Sequence, residues 1–359
     1  MVKLIFLSWC LITFSIARAA QLNCRGFYFH LNASAENRIA INPPEDLYTD
    51  PDKVVQFISQ PVAYTNVTGT YKIFGQLCAP TKKAALPKLQ VLVHGNTYNH
   101  TYWSALQNPD SETFAERSWV RYAAEQGYHT LALDNLGSGL SSHPNPATVV
   151  QDPLDTELIH KIIQKFRRFP TVIYVGHSWG SGLGVHLAAS HPDDFDGMIL
   201  TGIAQVRGNP SVGSLYNRWD SLPGHVGYLA SANKTARREY FFYGDYDLVE
   251  DDWNGQGTIS TGEFLTGTEY LSHIPKTFAK PVFVMVGNED VIFCSEKGVQ
   301  PANCSNGDEV PRVKEFFPAV PASKFGYFIQ PNSGHVLGLQ HTAALGFAKA
   351  FEWLADMNL

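Results

Sequence analysis

Short apolar runs that alternate with helical patterns are the feature that most constrains the fold of this chain. Strands that are apolar on both faces and alternate with helices are typical of a parallel sheet covered by helices on both sides. Runs of this kind occur at residues 89–93, 129–133, 171–175, 197–202, 281–286 and 325–329. Helical patterns occur at residues 103–126, 155–168, 181–190, 309–317 and 342–357. The sequence therefore predicts an α/β fold with a mostly parallel sheet.

A segment at residues 205–275 lacks clean strand runs and interrupts this alternation. We interpret it as a mostly helical cap inserted into one sheet domain. Its aromatic side chains can either line an apolar substrate pocket or form the core of the cap itself. Candidates for the pocket are Trp219, Tyr240 and Trp253, and the sheet domain is predicted to comprise residues 61–204 and 276–359.

The N-terminal residues have the pattern of a signal peptide at residues 1–19. A positive Lys3 precedes an apolar run and small residues suited to cleavage near Ala20. The apolar run spans about 13 residues, fewer than the ~20 that a membrane-spanning helix needs. We therefore expect a secreted protein with no stable membrane span.

Residues 20–60 are predicted to form an N-terminal arm. Two strands, at residues 62–68 and 70–77, are expected to follow it, joined by a tight turn. Four cysteines remain after removal of the leader, an even number that favours two disulfides in an oxidising compartment. Of the three possible pairings we favour Cys24–Cys78, which ties the arm to an early strand, and Cys294–Cys304, which closes a short loop.

Five sequons accompany the leader and predict a glycosylated secretory protein. They lie at Asn32, Asn66, Asn99, Asn233 and Asn303. No Cys/His spacing resembles a metal site, so neither a metal nor another cofactor is expected. The net charge is −6, and the densest basic cluster, at residues 161–168, is typical of a solvated helix face. A nucleic-acid partner is therefore not predicted, and the oligomeric state stays open.

The strongest chemical motif is Gly-His-Ser-Trp-Gly at residues 176–180. The pattern alone is weak, but here it follows a predicted buried strand and precedes a predicted helix. A sharp turn at this point lifts the hydroxyl of Ser178 clear of the sheet, and the flanking glycines let strand and helix approach closely. Ser178 is therefore the predicted nucleophile. The backbone N–H of Trp179, at the start of the helix, is expected to face a developing oxyanion.

A serine hydroxyl needs a base beside it, and the base needs an acid. His335 follows the last predicted strand, and Asp290 follows the strand at residues 281–286. The carboxyl ends of parallel strands gather at one edge of a sheet, so both side chains are expected to meet Ser178. His341 is the alternative base and Glu289 the alternative acid.

A second oxyanion donor is expected where the strand at residues 89–93 ends. The backbone N–H of Asn96 or of Gly95 is the candidate. The neighbouring His94 is expected to buttress this loop. His177 is likewise expected to face away from Ser178, because it occupies the adjacent position in the turn.

These blocks, together with residues 134–141, resemble the α/β-hydrolase superfamily over residues 62–357. The resemblance implies an eight-stranded, mostly parallel sheet with a cap after the sixth strand. The His94-Gly95-Asn96 loop, with Trp103 behind it, is similar to that of haloalkane dehalogenases. Those enzymes and epoxide hydrolases carry aspartate where this chain has Ser178, which argues against both chemistries. The leader, sequons and cysteine-tied arm resemble secreted hydrolases of filamentous fungi, some of which act in secondary metabolism.

The sequence thus predicts a secreted serine hydrolase that cleaves an ester, lactone or thioester of a small apolar or aromatic substrate. An aminopeptidase or proline-iminopeptidase-like enzyme is one alternative, because acidic cap residues could bind an amine. A lyase or cyclase that uses the same triad without an acyl-enzyme is another, and a non-catalytic binding protein is a third. The acidic residues in question are Asp245, Glu250, Asp251 and Asp252.

Overall fold

The computed structural model describes residues 22–39, 63–80, 86–205, 219–222, 225–244, 246–296 and 298–359. The predicted leader lies outside these ranges, as does the part of the predicted N-terminal arm after residue 39. Parts of the predicted cap also lie outside them. Within the described ranges, no helix is long and apolar enough to span a bilayer.

Eight of the described strands form one sheet, and their bounds are β1 Asn23–Arg38, β2 Tyr64–Ala79, β3 Lys88–Val93, β4 Tyr128–Leu133, β5 Thr171–His177, β6 Gly197–Thr201, β10 Val282–Gly287 and β11 Phe325–Gln330. Their order across the sheet is β1-β2-β4-β3-β5-β6-β10-β11. The six strands from β4 to β11 in that order are parallel, and β2 joins them antiparallel to β4. The prediction of an eight-stranded, mostly parallel sheet is confirmed.

Helices cover both faces of this sheet, and a buried apolar cluster lies on each side. The helices of the sheet domain are α1 Trp119–Glu125, α2 Asp152–Phe166, α3 Trp179–Ser190, α7 Val291–Cys294 and α8 Ala343–Asp356. Leu158 of α2 and Leu183 of α3 pack into one cluster, and Trp119 of α1 and Phe347 of α8 pack into the other. The sheet is thus buried on both faces, which explains why its central strands are mostly apolar in sequence.

The helical pattern at residues 103–126 is only partly realised. Two short 3-10 helices, His100–Trp103 and Ala115–Arg117, precede an α-helix that begins only at Trp119. Positive φ angles at Ala105, Leu106 and Phe114 break the intervening chain. The apolar residues of this segment are spaced as in a helix because they are buried, although the backbone between the short helices is a loop. The pattern at residues 309–317 similarly forms a 3-10 helix, Pro311–Phe316.

The two predicted strands at residues 62–68 and 70–77 are one continuous strand, so the expected turn between them was wrong. Gly69 pairs with Ala33 inside the β1–β2 ladder, and a Cβ at Gly69 would lie 2.6 Å from the Tyr71 hydroxyl. The tyrosine ring therefore covers a glycine within a strand, a role that the sequence pattern cannot distinguish from a turn.

The described start of the predicted arm is itself a strand, β1, paired with β2 over its whole length. Cys24 lies directly opposite Cys78 in this ladder, and a disulfide joins them with the Cα atoms 4.0 Å apart. A second disulfide joins Cys294 to Cys304. The first bond ties the edge strand to the sheet, and the second closes the loop that follows α7.

The described part of the cap contains a small antiparallel sheet besides helices, so the expectation of a mostly helical insertion was incomplete. Its strands are β7 Trp219–Leu222, β8 His225–Ser231 and β9 Ile259–Ser260. Its α-helices are α4 Lys234–Phe241, α5 Val249–Asn254 and α6 Thr261–Thr266. Pairing between β8 and β9 joins segments about 30 residues apart, which local patterns do not reveal.

A buried carboxyl begins the last cap helix. Ser260 and Glu263 form a reciprocal capping box, in which the Ser260 N–H donates to Glu263 Oε2 at 2.6 Å. Burial raises the pKa of Glu263 to about 8 from its ordinary 4.5. Burial also raises the pKa of Asp155 on α2, and the charge of Glu263 adds to that rise. Burial therefore favours the protonated form of two carboxyl groups, Glu263 in the cap and Asp155 in the sheet domain.

Replacing Glu263 by glutamine is expected to flatten the dependence of stability on pH. The folded chain retains a proton that the unfolded chain loses above its pKa near 4.5. The Glu263 contribution therefore favours folding most below that pKa and is lost as pH rises toward 8, by at most about 1.4 kcal/mol per pH unit. Urea denaturation across this range measures the slope, with the exposed Glu125→Gln as control. Equal slopes in wild type and Glu263→Gln would contradict this prediction.

Candidate active site

Ser178 occupies a tight turn between β5 and α3. Its φ of 53° and ψ of −114° lie in a region that is strained for any residue with a side chain. The Ser178 N–H donates to the Thr201 carbonyl at 2.8 Å and holds the turn against β6. A Cβ at Gly176 would lie 2.5 Å from the Gly180 carbonyl oxygen, and one at Gly180 would overlap the Val93 carbonyl. Both glycines are therefore needed for the close approach of strand and helix.

The side chains of Ser178, His335 and Asp290 form a continuous hydrogen-bonded chain. The Ser178 Oγ lies 2.8 Å from His335 Nε2, and His335 Nδ1 lies 2.8 Å from Asp290 Oδ2. Asp290 caps α7, and its Oδ1 accepts from the Ile292 N–H at 2.9 Å. A carboxylate only accepts hydrogen bonds, so Nδ1 carries the proton and Nε2 is left to accept from the serine hydroxyl.

The two alternative residues lie elsewhere. Glu289 accepts from the Ser333 N–H at 3.0 Å and from the Asn288 side chain at 2.8 Å. It therefore supports the loop that carries His335. His341 is half exposed, and its Nε2 lies 3.1 Å from Asp247 in the cap.

His94 is buried and holds the loop that follows β3. Its Nε2 accepts from the Asn135 N–H at 3.1 Å, so its Nδ1 is the donor to the Gly95 carbonyl at 2.8 Å. Burial lowers the pKa of His94 to about 4. The imidazole is therefore neutral near pH 7 and acts as a fixed strut between two loops.

His177 points away from the nucleophile and packs under the site. Its ring stacks on Tyr102 at 4.4 Å between centroids, and its Nδ1 lies 3.0 Å from the Thr201 hydroxyl. That hydroxyl donates to the Gly176 carbonyl, so it accepts from His177. Burial, and then the neighbouring His335 and His94, lower the pKa of His177 well below its ordinary value.

Two backbone N–H groups next to Ser178, those of Asn96 and Trp179, are the candidate oxyanion donors. The Gly95 carbonyl accepts from His94 Nδ1 and from the Tyr98 N–H at 3.3 Å. In a trans peptide the N–H of Asn96 points opposite to that carbonyl. Within the described residues, neither this N–H nor that of Trp179 is bonded to an acceptor. A Cβ at Gly95 would lie 2.9 Å from Ser178 Cβ, so this loop lies directly against the nucleophile.

Aromatic residues at the end of α4 approach the triad. The Phe241 ring lies 5.9 Å from the His335 ring, and the Phe241 carbonyl accepts from the Val336 N–H at 3.0 Å. Burial raises the pKa of Tyr240, and the charge of Asp290 raises it further. Trp253 is half buried, and the Trp219 side chain lies outside the described residues.

Sequence reasoning missed Arg237, and it offered Asp252 as a cap carboxylate that could bind an amine. Both side chains are buried and form a bidentate ion pair inside the cap, with nitrogen–oxygen distances of 2.6 and 2.9 Å. The two residues lie in different helices, and nothing local in the sequence indicates their pairing. In the described part of the chain, no group of three or more His, Cys, Asp or Glu could hold a metal ion.

Comparison with known proteins gives the same architecture. Residues 91–293 match the family model of the alpha/beta hydrolase fold, which is more than half of the chain. The chain belongs to the α/β-hydrolase family. No curated protein matches the sequence.

Several solved structures share the fold at low sequence identity. A Mycobacterium tuberculosis protein is 16% identical with a TM-score of 0.54, and the match covers 90% of this chain and 99% of that one. A membrane phospholipase A, a bacterial virulence factor, is 15% identical with a TM-score of 0.52, covering 90% and 87%. A thermophilic esterase from Thermogutta terrifontis is 14% identical with a TM-score of 0.51, covering 81% and 96%. At these identities the likeness concerns the fold.

Proposed function

We propose that this chain is a serine hydrolase that cleaves carboxylic esters, lactones or thioesters through an acyl-enzyme on Ser178. The observation that carries the proposal is the continuous chain from Ser178 Oγ through His335 to Asp290, with both links at 2.8 Å. The proposed mechanism needs no cofactor. The esterase and phospholipase of the same fold are consistent with this chemistry.

In the proposed mechanism, His335 Nε2 takes the hydroxyl proton as Ser178 Oγ attacks the carbonyl carbon. The N–H groups of Asn96 and Trp179 hold the negative charge that develops on the carbonyl oxygen. His335 then gives its proton to the leaving alcohol or thiol, and the acyl group stays on Ser178. Water repeats the cycle, losing a proton to His335 and releasing the acid and free Ser178.

Apolar or aromatic acyl groups are the substrates that the described surroundings favour. Phe241 lies beside the His335 ring and Tyr240 lies near Asp290. The peptidase alternative relied on free carboxylates in the cap. Asp252 is neutralised by Arg237, and Asp251 accepts from Gln107 at 3.2 Å. Asp245 and the Glu250 side chain lie outside the described residues.

A panel of p-nitrophenyl esters of graded acyl length, set against aminoacyl-p-nitroanilides, tests the reaction class. Turnover of the esters, with a preference for medium or aromatic acyl groups, is the expected result. Turnover of the anilides alone would favour a peptidase. Turnover of neither, together with no labelling by a fluorophosphonate, would contradict the proposal.

Secretion is part of the proposal, and the two disulfides are compatible with it. Asn32 and Asn66 are exposed on the β1–β2 ribbon and are the sequons we propose to be glycosylated first. The other three are half buried, and each side-chain oxygen caps a short helix, at Asn99, Asn233 and Asn303. Glycopeptide mapping after expression in a eukaryotic secretory host tests this, and a mature chain that still begins at Met1 would contradict secretion. A place in secondary metabolism stays a hypothesis based on the resemblance to fungal hydrolases.

A further inference from the structure

The loop that offers the Asn96 N–H is fastened to the cap through the next residue, Thr97. The Thr97 N–H donates to the Thr258 carbonyl at 3.1 Å, and the Gly257 N–H donates to the Thr97 carbonyl at 2.7 Å. A Cβ at Gly257 would lie 2.7 Å from the Tyr98 carbonyl oxygen, so the two segments are in close contact. The cap and the loop therefore share a short backbone ladder.

Thr97 has a φ of 65°, which is unfavourable for a β-branched residue. Such a conformation persists only when its surroundings hold it in place. The two backbone bonds to the cap supply part of that restraint. The third restraint is a side-chain bond, in which Arg237 Nη1 donates to the Thr97 hydroxyl at 2.9 Å.

Arg237 is itself held from every side. It is 1% exposed, and Asp252 binds its Nε and Nη2. The Ser231 hydroxyl accepts from Nη1 at 3.2 Å, and the Tyr98 hydroxyl donates to Asp252 at 2.8 Å. The guanidinium also lies over the Phe241 ring, 4.8 Å from its centroid. The group that reaches Thr97 is therefore rigid.

Burying this ion pair has a large desolvation cost, so a gain in stability is a weak explanation for it. Arg237 of this pair donates to Thr97, in the loop beside Ser178, so the pair can fix the geometry of that loop. The Gly95–Asn96 peptide is clamped at its carbonyl by His94 and followed directly by Thr97. Fixing both sides of this peptide fixes the direction of the Asn96 N–H.

We propose that Arg237, oriented by Asp252, is a positioning residue that holds Thr97 in its left-handed conformation and thereby aims the Asn96 N–H at the developing oxyanion. This inference rests on the proposed function, because it assigns the oxyanion donor of that same reaction. It predicts that loosening Arg237 weakens binding of the transition state more than binding of the substrate.

Two variants loosen the contact in different ways. Thr97→Ala removes the hydroxyl, and Arg237→Lys removes the bidentate fork while keeping the charge. Loss of one oxyanion donor costs about 10²–10³ in kcat, and misalignment of a donor is expected to cost about 10- to 100-fold. KM for the best p-nitrophenyl ester is expected to stay unchanged. The Ki of a trifluoromethyl ketone, which forms a tetrahedral adduct with the serine, is expected to rise by the same factor as kcat falls.

Thr97→Ser keeps a hydroxyl at this position, so its kcat and Ki are expected to lie within about threefold of the wild-type values. Arg117→Lys is the matched control. Arg117 is also buried and pairs with a cap carboxylate, Asp247, at 2.5 Å, but no described bond joins it to the loop. This variant is expected to lose stability while kcat and Ki remain those of wild type.

Folded Thr97→Ala and Arg237→Lys proteins with wild-type kcat and Ki would overturn the inference. A lower activity that is explained fully by a smaller fraction of active enzyme, measured by active-site titration, with Ki unchanged, would overturn it too. A similar rise in Ki for Arg117→Lys would show a general effect of cap attachment and would also overturn it. A wild type without ester turnover or fluorophosphonate labelling would contradict the proposed function itself, and the inference with it.

Discussion

Replacing Ser178 by alanine is expected to abolish ester turnover and fluorophosphonate labelling while leaving the fold intact. The Ser178 Oγ is the atom within hydrogen-bond reach of His335 Nε2, at 2.8 Å. Without it the proposed acyl-enzyme cannot form, so kcat should fall by a factor on the order of 10⁶. Alanine occupies the same strained turn, since the restraints on residue 178 come from its backbone bond to Thr201 and from the flanking glycines.

Ser181 provides the matched control for this substitution. It is a buried serine one turn further along α3, and its hydroxyl donates to the Thr201 carbonyl at 2.8 Å. Ser181→Ala is expected to keep both turnover and labelling, with some loss of thermal stability from the missing hydrogen bond. Labelling or turnover that survives in Ser178→Ala would place the nucleophile elsewhere and reject the proposed mechanism.

Asp290→Asn is expected to give the second largest loss. The Ile292 N–H donates to one side-chain oxygen of Asp290, so an asparagine would keep its oxygen there and turn its amide group toward His335. An amide N–H facing Nδ1 makes Nδ1 an acceptor and moves the imidazole proton to Nε2. The ring then cannot accept the proton of Ser178. A fall in kcat of about 10⁴, with KM little changed, is the expected size of this tautomer error.

Glu289→Gln separates the two adjacent carboxylates. Glu289 bonds to the Ser333 N–H and to Asn288, with no described bond to His335. Its substitution is expected to cost less than about tenfold in kcat, through a looser His335 loop. Steady-state kinetics of Asp290→Asn and Glu289→Gln on the same ester decides which carboxylate is the acid of the triad. A severe loss in Glu289→Gln beside a mild loss in Asp290→Asn would reverse the assignment of the acid.

The sheet was accessible from the sequence because burial on both faces leaves a local trace. Strands β3, β5 and β10 are mostly apolar, and helices separate them in the chain. The turn at Ser178 is local too, since two glycines within five residues are what its geometry requires. The helix expected at residues 103–126 shows the limit of this reasoning. Buried loops and buried helices can share apolar spacing, and only the backbone angles at Ala105 and Phe114 distinguish them.

The sequence alone determined the parallel α/β architecture and the candidate residues Ser178, Asp290 and His335, because each stands just after a recognisable strand. Tertiary structure decided everything that depends on partners distant in the chain. Gly69 is in a strand because Ala33 pairs with it, and Asp252 is a buried counterion because Arg237 reaches it. Thr97 keeps its unfavourable backbone because Arg237, Gly257 and Thr258 hold it. Such contacts join residues with no shared local pattern, and their stability comes from burial and hydrogen bonds that exist only after the chain has folded.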